Sequence, residues 1–369
     1  MKNGKKAKIS RRLIRTRGEG RNILMKRRKK FYPVLLCSHT ETGASRVADG
    51  HSDLPEPHYS TGLGAAYLGD SLQLLPLVET SSVNLIITSP PFALKRKKEY
   101  GNVDASEYVD WFLPFAKELW RVLRDDGSFV LDIGGSWNPG IPTKTLYNFE
   151  LLVRLCRDIG FHLAEDFYWL NPAKLPSPAE WVNVRRIRVK DAIDPVWWLS
   201  KTPFPKADNR RVLKPYSKSM EELLVKGYKA KLRPSGHDIS TKFKNNHGGA
   251  IPPNLLTIAN TESNSYYLRA CRDAGLKPHP ARYPIGLPEF FMRFLTDKDD
   301  VVLDPFCGSN ITGECAERLS RRWLAFELSE YYLRGSKFRF EQRTSSHLSR
   351  RKKAERIVET SNQPLLFKF

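Results

Sequence analysis

The sequence predicts an α/β protein with a mostly parallel, twisted sheet and helices on both faces. Three observations lead there. Continuous apolar runs such as "VNLIITS" (83–89) suit strands buried on both faces. Apolar residues at helical spacing follow such runs, and the two patterns alternate along the chain. Repeated strand-helix units imply parallel neighbours joined by helical crossovers.

Regular structure begins at "AAYLGDSLQLL", after a loop-like stretch between about residues 31 and 60. The strand at 83–89 is followed by "EYVDWFLPFAKELWRVL". There Val109, Phe112, Leu113, Ala116, Trp120 and Leu123 share one helical face. "DDGSFVLDIGG" returns to a strand, "NFELLVRLCRDIG" to a helix and "FHLAEDFYWL" to a strand. From 171 to 260 periodicity is weak and Pro, Gly, Asn, Arg, Lys and Trp are frequent, so this stretch reads as an insertion on the sheet. Alternation resumes with a strand at 301–303 ending at Asp304, a turn with Gly308 and Ser309, a helix from about Ile311 to Leu319, and a strand "WLAFEL" ending near Glu327. The expected organisation is a basic arm (1–60), two halves of one domain (61–170 and 261–345) around the insertion, and a basic tail (346–369).

With 369 residues the chain can bury a full core without disulfides. Its five cysteines are odd in number and lack a C-x-x-C pair, so neither a disulfide framework nor a metal site is signalled. A reducing, intracellular setting is expected. No apolar run approaches the roughly 18 residues that span a bilayer, so no membrane role is expected. The net charge of +21 points instead to a polyanionic partner. Residues 1–30 carry fourteen Lys/Arg against the single Glu19, the composition of a disordered arm attracted to phosphates. In the insertion Arg185, Arg186, Arg188 and Lys190 follow Trp181, a basic run with an aromatic beside it that suits DNA; the competing reading is a solvated loop over a satellite core of Trp181, Trp197 and Trp198.

Two short stretches carry the chemistry. In "VVLDPFCGSNITG" a strand ends at Asp304 before a tight turn, and Glu327 ends the next strand 23 positions later. Open α/β sheets bind ligands at the carboxyl ends of strands, and a carboxylate at this distance suits ribose hydroxyls. "GSNITG" alone is a defective dinucleotide fingerprint and leaves a nicotinamide oxidoreductase in view. In "TSPPFAL" two prolines follow directly on the apolar strand, an unusually rigid ending.

The pair S-P-P-F and D-P-F-x-G-S, in that order and with a basic insertion between, resembles the S-adenosylmethionine-dependent amino-group DNA methyltransferases of the permuted β arrangement. "YLGDSLQLL", "SPAEWVNVRRIRVKDA", "RPSGHDIS" and "HPARYPIGLPEFF" strengthen the resemblance, which spans about 60–345. It implies a circularly permuted Rossmann-like methyltransferase fold, S-adenosylmethionine as cofactor, a flipped base in double-stranded DNA as substrate, and an insertion that recognises the target. By the same resemblance Ser89 and the Pro90 carbonyl accept the hydrogens of the target amine, Pro91 helps to fix them, and Phe92 stacks on the base. Asp304, Phe306, Gly308 and Ser309 line the cofactor's methionine and ribose, Glu327 holds the ribose, Asp70 faces the adenine, and the segment with His279 and Arg282 closes the pocket. Each of these has a plain structural alternative; for Asp304 and Asp70, for instance, it is the capping of a helix.

By the same resemblance, serine at the first motif position favours the 4-amino group of cytosine, with adenine as the alternative. Methylation at carbon 5 is disfavoured, because it needs a cysteine nucleophile in a Pro-Cys pair and no cysteine here follows a proline. A silent DNA-binding relative is the third class of function. Further expectations are a cytoplasmic, nucleoid-associated setting, a cognate restriction endonuclease, and a sliding-clamp contact through Gln363, Leu366 and Phe367 of "NQPLLFKF". Asn310 and "FELSEYY" depart from the family's commoner glycine and E-L-N forms.

Overall fold

The computed structural model describes residues 53–93, 103–227, 245–262 and 265–341, all within one compact unit. The basic arm up to residue 52, "RPSGHDIS" and the C-terminal tail lie outside the described residues.

The strands are β1 (Tyr59–Ser60), β2 (Gly64–Leu68), β3 (Val83–Thr88), β4 (Leu123–Asp132), β5 (His162–Leu170), β6 (Ile193–Ser200), β7 (Leu255–Thr257), β8 (Val301–Asp304) and β9 (Arg322–Glu327). They form one sheet in the order β1-β2-β9-β8-β3-β4-β6-β5-β7. The run from β2 through β9, β8 and β3 to β4 is parallel throughout. β6 lies antiparallel to both β4 and β5, whereas β7 is parallel to β5.

The helices are α1 (Ser71–Leu74), α2 (Tyr108–Val122), α3 (Tyr147–Arg154), α4 (Lys218–Lys226), α5 (Tyr266–Asp273), α6 (Gly286–Leu295), α7 (Ile311–Arg318) and α8 (Glu330–Ser336). Central strands are apolar on both sides because each side carries its own core. Phe112, Phe115 and Leu119 of α2 and Leu151 of α3 pack with Ile86, Phe129, Leu131 and Leu303. Phe291 and Leu295 of α6, Ile311 of α7 and Leu333 of α8 pack with Leu85, Ile87, Val130 and Val302. Alternate residues of β3, β4 and β8 thus point into opposite cores, as the two-residue period of a strand requires.

One expectation is corrected. The stretch read as an insertion contains β6, which sits inside the sheet between β4 and β5. Trp197 and Trp198 are not a satellite core; successive positions on β6 send them into the two main cores. The apolar run "VWWL" marked this strand, but the Pro-rich and basic text around it hid the period. The helix read over 148–160 is also subdivided, with α3 passing into a π turn at Leu155–Ile159 that ends on left-handed Gly160.

Candidate active site

The strand order itself locates the site. From β8 the chain moves through α7 to β9 on one side, and from β3 through α2 to β4 on the other. The direction of winding therefore reverses between the neighbours β3 and β8, and loops diverging at such a point leave a crevice beyond the carboxyl ends of the strands. That crevice is a cavity of about 1200 Å³. Ser89, Pro90, Pro91 and Phe92 after β3, Phe306, Gly308 and Ser309 after β8, and Asp70 after β2 all line it, together with the strand-terminal Asp132, Asp304 and Glu327.

At the reversal point Asp304, only 2% exposed, joins the two halves of the chain. It accepts hydrogen bonds from the Thr88 hydroxyl at 2.6 Å, the Thr312 hydroxyl at 2.6 Å and the Phe306 N–H at 3.1 Å, and a longer one from the Tyr283 hydroxyl at 3.3 Å. Burial raises its pKa, and the bonds from Thr312 and Thr88 hold it down. Both oxygens are thus occupied by protein donors while the residue still forms part of the cavity wall.

The following turn is built by conformation. Gly308 has φ +51°, and a Cβ there would stand 3.0 Å from the His279 ring, so both backbone and space call for glycine. Its N–H donates to Glu327 Oε2 at 2.8 Å, and Glu327 Oε1 accepts from the Ser329 N–H at 3.0 Å. Burial raises the Glu327 carboxyl. Asn310 also has φ +51°; asparagine enters this region at small cost, and its side chain caps α7 by accepting from the Gly313 N–H at 2.9 Å. Phe306 packs on Phe115 with ring centroids 5.1 Å apart. Ser309 is held by the buried Arg339, whose Nε donates to the Ser309 carbonyl at 2.7 Å. Across the cavity Asp70 caps α1 by accepting from the Leu72 N–H at 2.9 Å, and Ser71 donates to the Pro305 carbonyl.

On the β3 side Phe92 packs over Gly134, where a Cβ would lie 2.6 Å from its ring and 2.9 Å from Asp194 Oδ1. Asp132 is buried, and its Oδ1 has no hydrogen-bond partner among the described residues. Burial and then the Asp194 carboxylate push Asp132 up to about 8, while a hydrogen bond from Ser89 and the charge of Lys174 oppose the rise. Lys174 Nζ pairs with Asp194 at 3.1 Å. Asp132, Asp194 and Lys174 were not singled out in the sequence. Asp132 had a usable signal, since it ends a strand of an open sheet as Asp304 does; Asp194 and Lys174 reach the site only through β6 and the loop after β5.

Arg185, Arg186, Arg188 and Lys190 stand outside the cavity wall, on an exposed loop. Arg185 pairs with Glu180 at 2.8 Å and lies 5.0 Å over the Trp181 ring. Arg188 Nε and Lys190 Nζ donate to the carbonyls of Pro142 at 3.0 Å and Pro172 at 3.1 Å. Arg186 takes φ +54°. Among the described residues no group of three or more His, Cys, Asp or Glu could hold a metal ion, and no helix is long and apolar enough to cross a membrane.

The cavity fits a nucleoside-bearing cofactor together with a planar base. Its volume exceeds what either needs alone; carboxylates stand at the ends of several strands, and an aromatic ring lies beside a proline-held serine. Such a sheet and site define a group-transfer enzyme using a nucleotide-like cofactor. The chain belongs to the DNA methylase family, whose model matches residues 83–338. It is 56% identical over 288 residues to the type II methyltransferase M.PvuII of Proteus hauseri, covering 77% of this chain and 86% of that protein. The type II methyltransferase M.BamHI of Bacillus amyloliquefaciens is 26% identical over 282 residues, 74% of this chain and 56% of that protein. The solved PvuII DNA methyltransferase, titled cytosine-N4-specific, superposes with a TM-score of 0.64 at 50% identity, over 77% of this chain and 89% of that one.

Proposed function

We propose that this chain is a type II DNA methyltransferase that carries the methyl group of S-adenosylmethionine to the exocyclic 4-amino group of cytosine. The observation that carries the reading is the meeting of Ser89-Pro90-Pro91-Phe92 with the turn from Asp304 to Ser309 and Glu327 around one cavity. The cytosine-N4 specificity of a relative 56% identical supports the choice of base.

The amine of cytosine is a poor nucleophile because its lone pair is delocalised into the ring. Ser89 offers its hydroxyl oxygen and Pro90 its carbonyl to the two amino hydrogens, which pyramidalises the nitrogen and withdraws its lone pair from conjugation with the ring. The prolines fix both acceptors and bring no competing N–H. The cofactor, when bound, supplies an electrophilic methyl on a sulfonium. On delivery of that methyl to the amine, one amino proton would pass to Ser89 while the Ser89 proton would pass to Asp132. A carboxylate whose pKa is raised to about 8 is a stronger base than an ordinary one, and it accepts that proton increasingly well as the pH rises toward 8. Phe92 stacks on the extruded base and offsets part of its unpairing cost.

Asp70 faces the adenine, Glu327 the ribose, and Asp304, Phe306, Gly308 and Ser309 the remainder of the cofactor, where carboxylates suit a cationic sulfonium. Arg185, Arg186, Arg188 and Lys190 meet the DNA, and target recognition falls to the segments flanking β6 within 171–260. A cognate endonuclease, a cytoplasmic, nucleoid-associated setting, the basic arm's hold on phosphates and a clamp contact through Gln363, Leu366 and Phe367 complete the proposal; the arm and the clamp segment lie outside the described residues. The test is incubation with unmethylated DNA and S-adenosylmethionine, digestion to nucleosides and mass spectrometry. Finding 4-methylcytosine is expected; 6-methyladenine overturns the choice of base, and no methylated base overturns the activity.

A further inference from the structure

Extruding a cytosine leaves a hole in the stacked duplex, and water fills such a hole poorly because the flanking base faces are apolar. A protein that stabilises the extruded state gains by placing an apolar side chain there. Such a side chain must be exposed in the free protein, rigidly carried, close to the pocket that receives the base, and set among positive charges.

Val189 meets these requirements. It is 87% exposed, and both of its neighbours are anchored, Arg188 to the Pro142 carbonyl at 3.0 Å and Lys190 to the Pro172 carbonyl at 3.1 Å. These anchors lie beside the cavity wall, which includes Gly140 before Pro142 and Asn171 and Lys174 around Pro172. Two residues on, Asp191 belongs to the wall itself and pairs with Lys144 at 2.9 Å. The loop is further closed on itself by the N–H groups of Ile187 and Arg188, which donate to the Trp181 carbonyl at 2.9 and 3.2 Å. On the other side of the Arg188–Pro142 bond stands Ile141, itself 51% exposed. The cavity rim thus presents apolar side chains on two stapled loops, with Arg185, Arg186, Arg188 and Lys190 around them to meet phosphates.

We infer that Val189, supported by Ile141 across the rim, enters the duplex and fills the place left by the extruded base. This rests on the function proposed above. Arg188 and Lys190 then have two duties, holding the wedge in position and adding positive charge beside the backbone.

The test is the single-turnover methylation rate of the wild type and of Val189→Ala on two duplexes of the methylated sequence, one with the target cytosine paired to guanine and one with it mispaired. A mispaired base costs less to extrude, so a wedge matters less for it. Removing two methyl groups from a buried contact should slow the paired substrate about tenfold and leave the mispaired one near the wild-type rate. With a 2-aminopurine–thymine pair in place of the target pair, the fluorescence gain on binding should fall in parallel. Equal slowing on both duplexes would mean damage to the base pocket and overturn the wedge, as would no slowing on either, which would leave the apolar rim to a protein partner. Failure of the wild type to methylate any duplex overturns the activity itself, a result separate from either of these. Because Val189 is exposed, Val189→Ala should melt at the wild-type temperature.

Discussion

Arg339→Met should cost about 3–5 kcal/mol of stability and loosen the cofactor turn, on the ordinary scale for breaking a buried ion pair. Arg339 is 4% exposed. Its Nε and Nη2 donate to the Ser309 carbonyl at 2.7 Å and the Ser309 hydroxyl at 3.2 Å, and Nη1 donates to Glu314 Oε2 at 2.8 Å. Its guanidinium carbon lies 4.2 Å from the centre of the Tyr267 ring, and the Tyr267 hydroxyl accepts from the His279 N–H at 3.0 Å. His279 is the ring packed against Gly308, so one side chain braces the turn from both sides. Methionine fills much of the volume but donates nothing, which leaves the Ser309 carbonyl unpaired and the buried Glu314 with Arg318 alone as its cation. The assay is equilibrium urea unfolding, with titration of S-adenosylmethionine by calorimetry. Adding Glu314→Gln to Arg339→Met should recover a kilocalorie or more (about 1–3 kcal/mol), because the charge left buried is then removed. A single-variant loss under about 1 kcal/mol, or a double variant as unstable as the summed singles, would refute the brace.

Gly308→Ala, strained by φ +51° and by the His279 ring 3.0 Å away, should weaken S-adenosylmethionine binding about tenfold by calorimetry and leave DNA affinity unchanged. Ser89→Ala and Phe92→Ala should cut turnover far more than cofactor affinity, whereas Asp304→Ala should weaken cofactor binding; equal losses in both parameters for all three would undo this division of roles. Asp132 is raised to about 8, so its carboxylate predominates only above that pH. The methyl-transfer rate should therefore climb as pH rises toward 8, and Asp132→Asn should lower and flatten the profile. The folded protein keeps this proton between about pH 4 and 8 while the unfolded chain loses it, so stability falls through that window and Asp132→Asn should be the more stable protein at pH 9 in urea melts. Deleting residues 1–30 should lower DNA affinity mainly at low salt, as read from the salt slope of binding; a changed sequence preference would show that the arm does more than attract phosphates.

The parts of the site legible in the sequence are those whose role depends on neighbours along the chain. Ser89 to Phe92 is a strand end followed by two prolines, Asp304 to Ser309 a strand end followed by a turn, and Asp70 precedes a short helix. Each could be placed by the rule that open sheets bind at the carboxyl ends of strands. Asp194 could not, because it matters only through β6 returning antiparallel between β4 and β5, a pairing set by register across the sheet. Arg339 lies 30 residues beyond Ser309, and nothing local distinguishes it from the other arginines of a basic C-terminal region. Glu327 was found from its spacing, yet the structure adds what spacing could not, namely that both oxygens also hold backbone N–H groups of the surrounding loops.

The distribution of charge completes the argument. A chain of net charge +21 lines its cavity with Asp70, Asp132, Asp194, Asp304 and Glu327, and places Arg185, Arg186, Arg188 and Lys190 on a loop at the rim. The two signs suit the two ligands of the proposed reaction. Duplex DNA is a polyanion met over a broad face, where exposed cations add affinity by releasing counterions. The cofactor carries a sulfonium, and the base gains positive charge as its nitrogen is alkylated, so both are favoured by carboxylates lining the cavity. Those carboxylates avoid mutual repulsion in two ways. Asp304 and Glu327 have their oxygens occupied by hydroxyl and backbone donors, and Asp194 is paired with Lys174. Asp132 has an unpartnered oxygen and a pKa lifted to about 8 by burial and by Asp194, so it carries less negative charge near neutral pH than an ordinary carboxylate. On the proposed function, an acidic pocket inside a basic protein draws the DNA backbone to the rim and reserves the interior for the cationic steps of the chemistry.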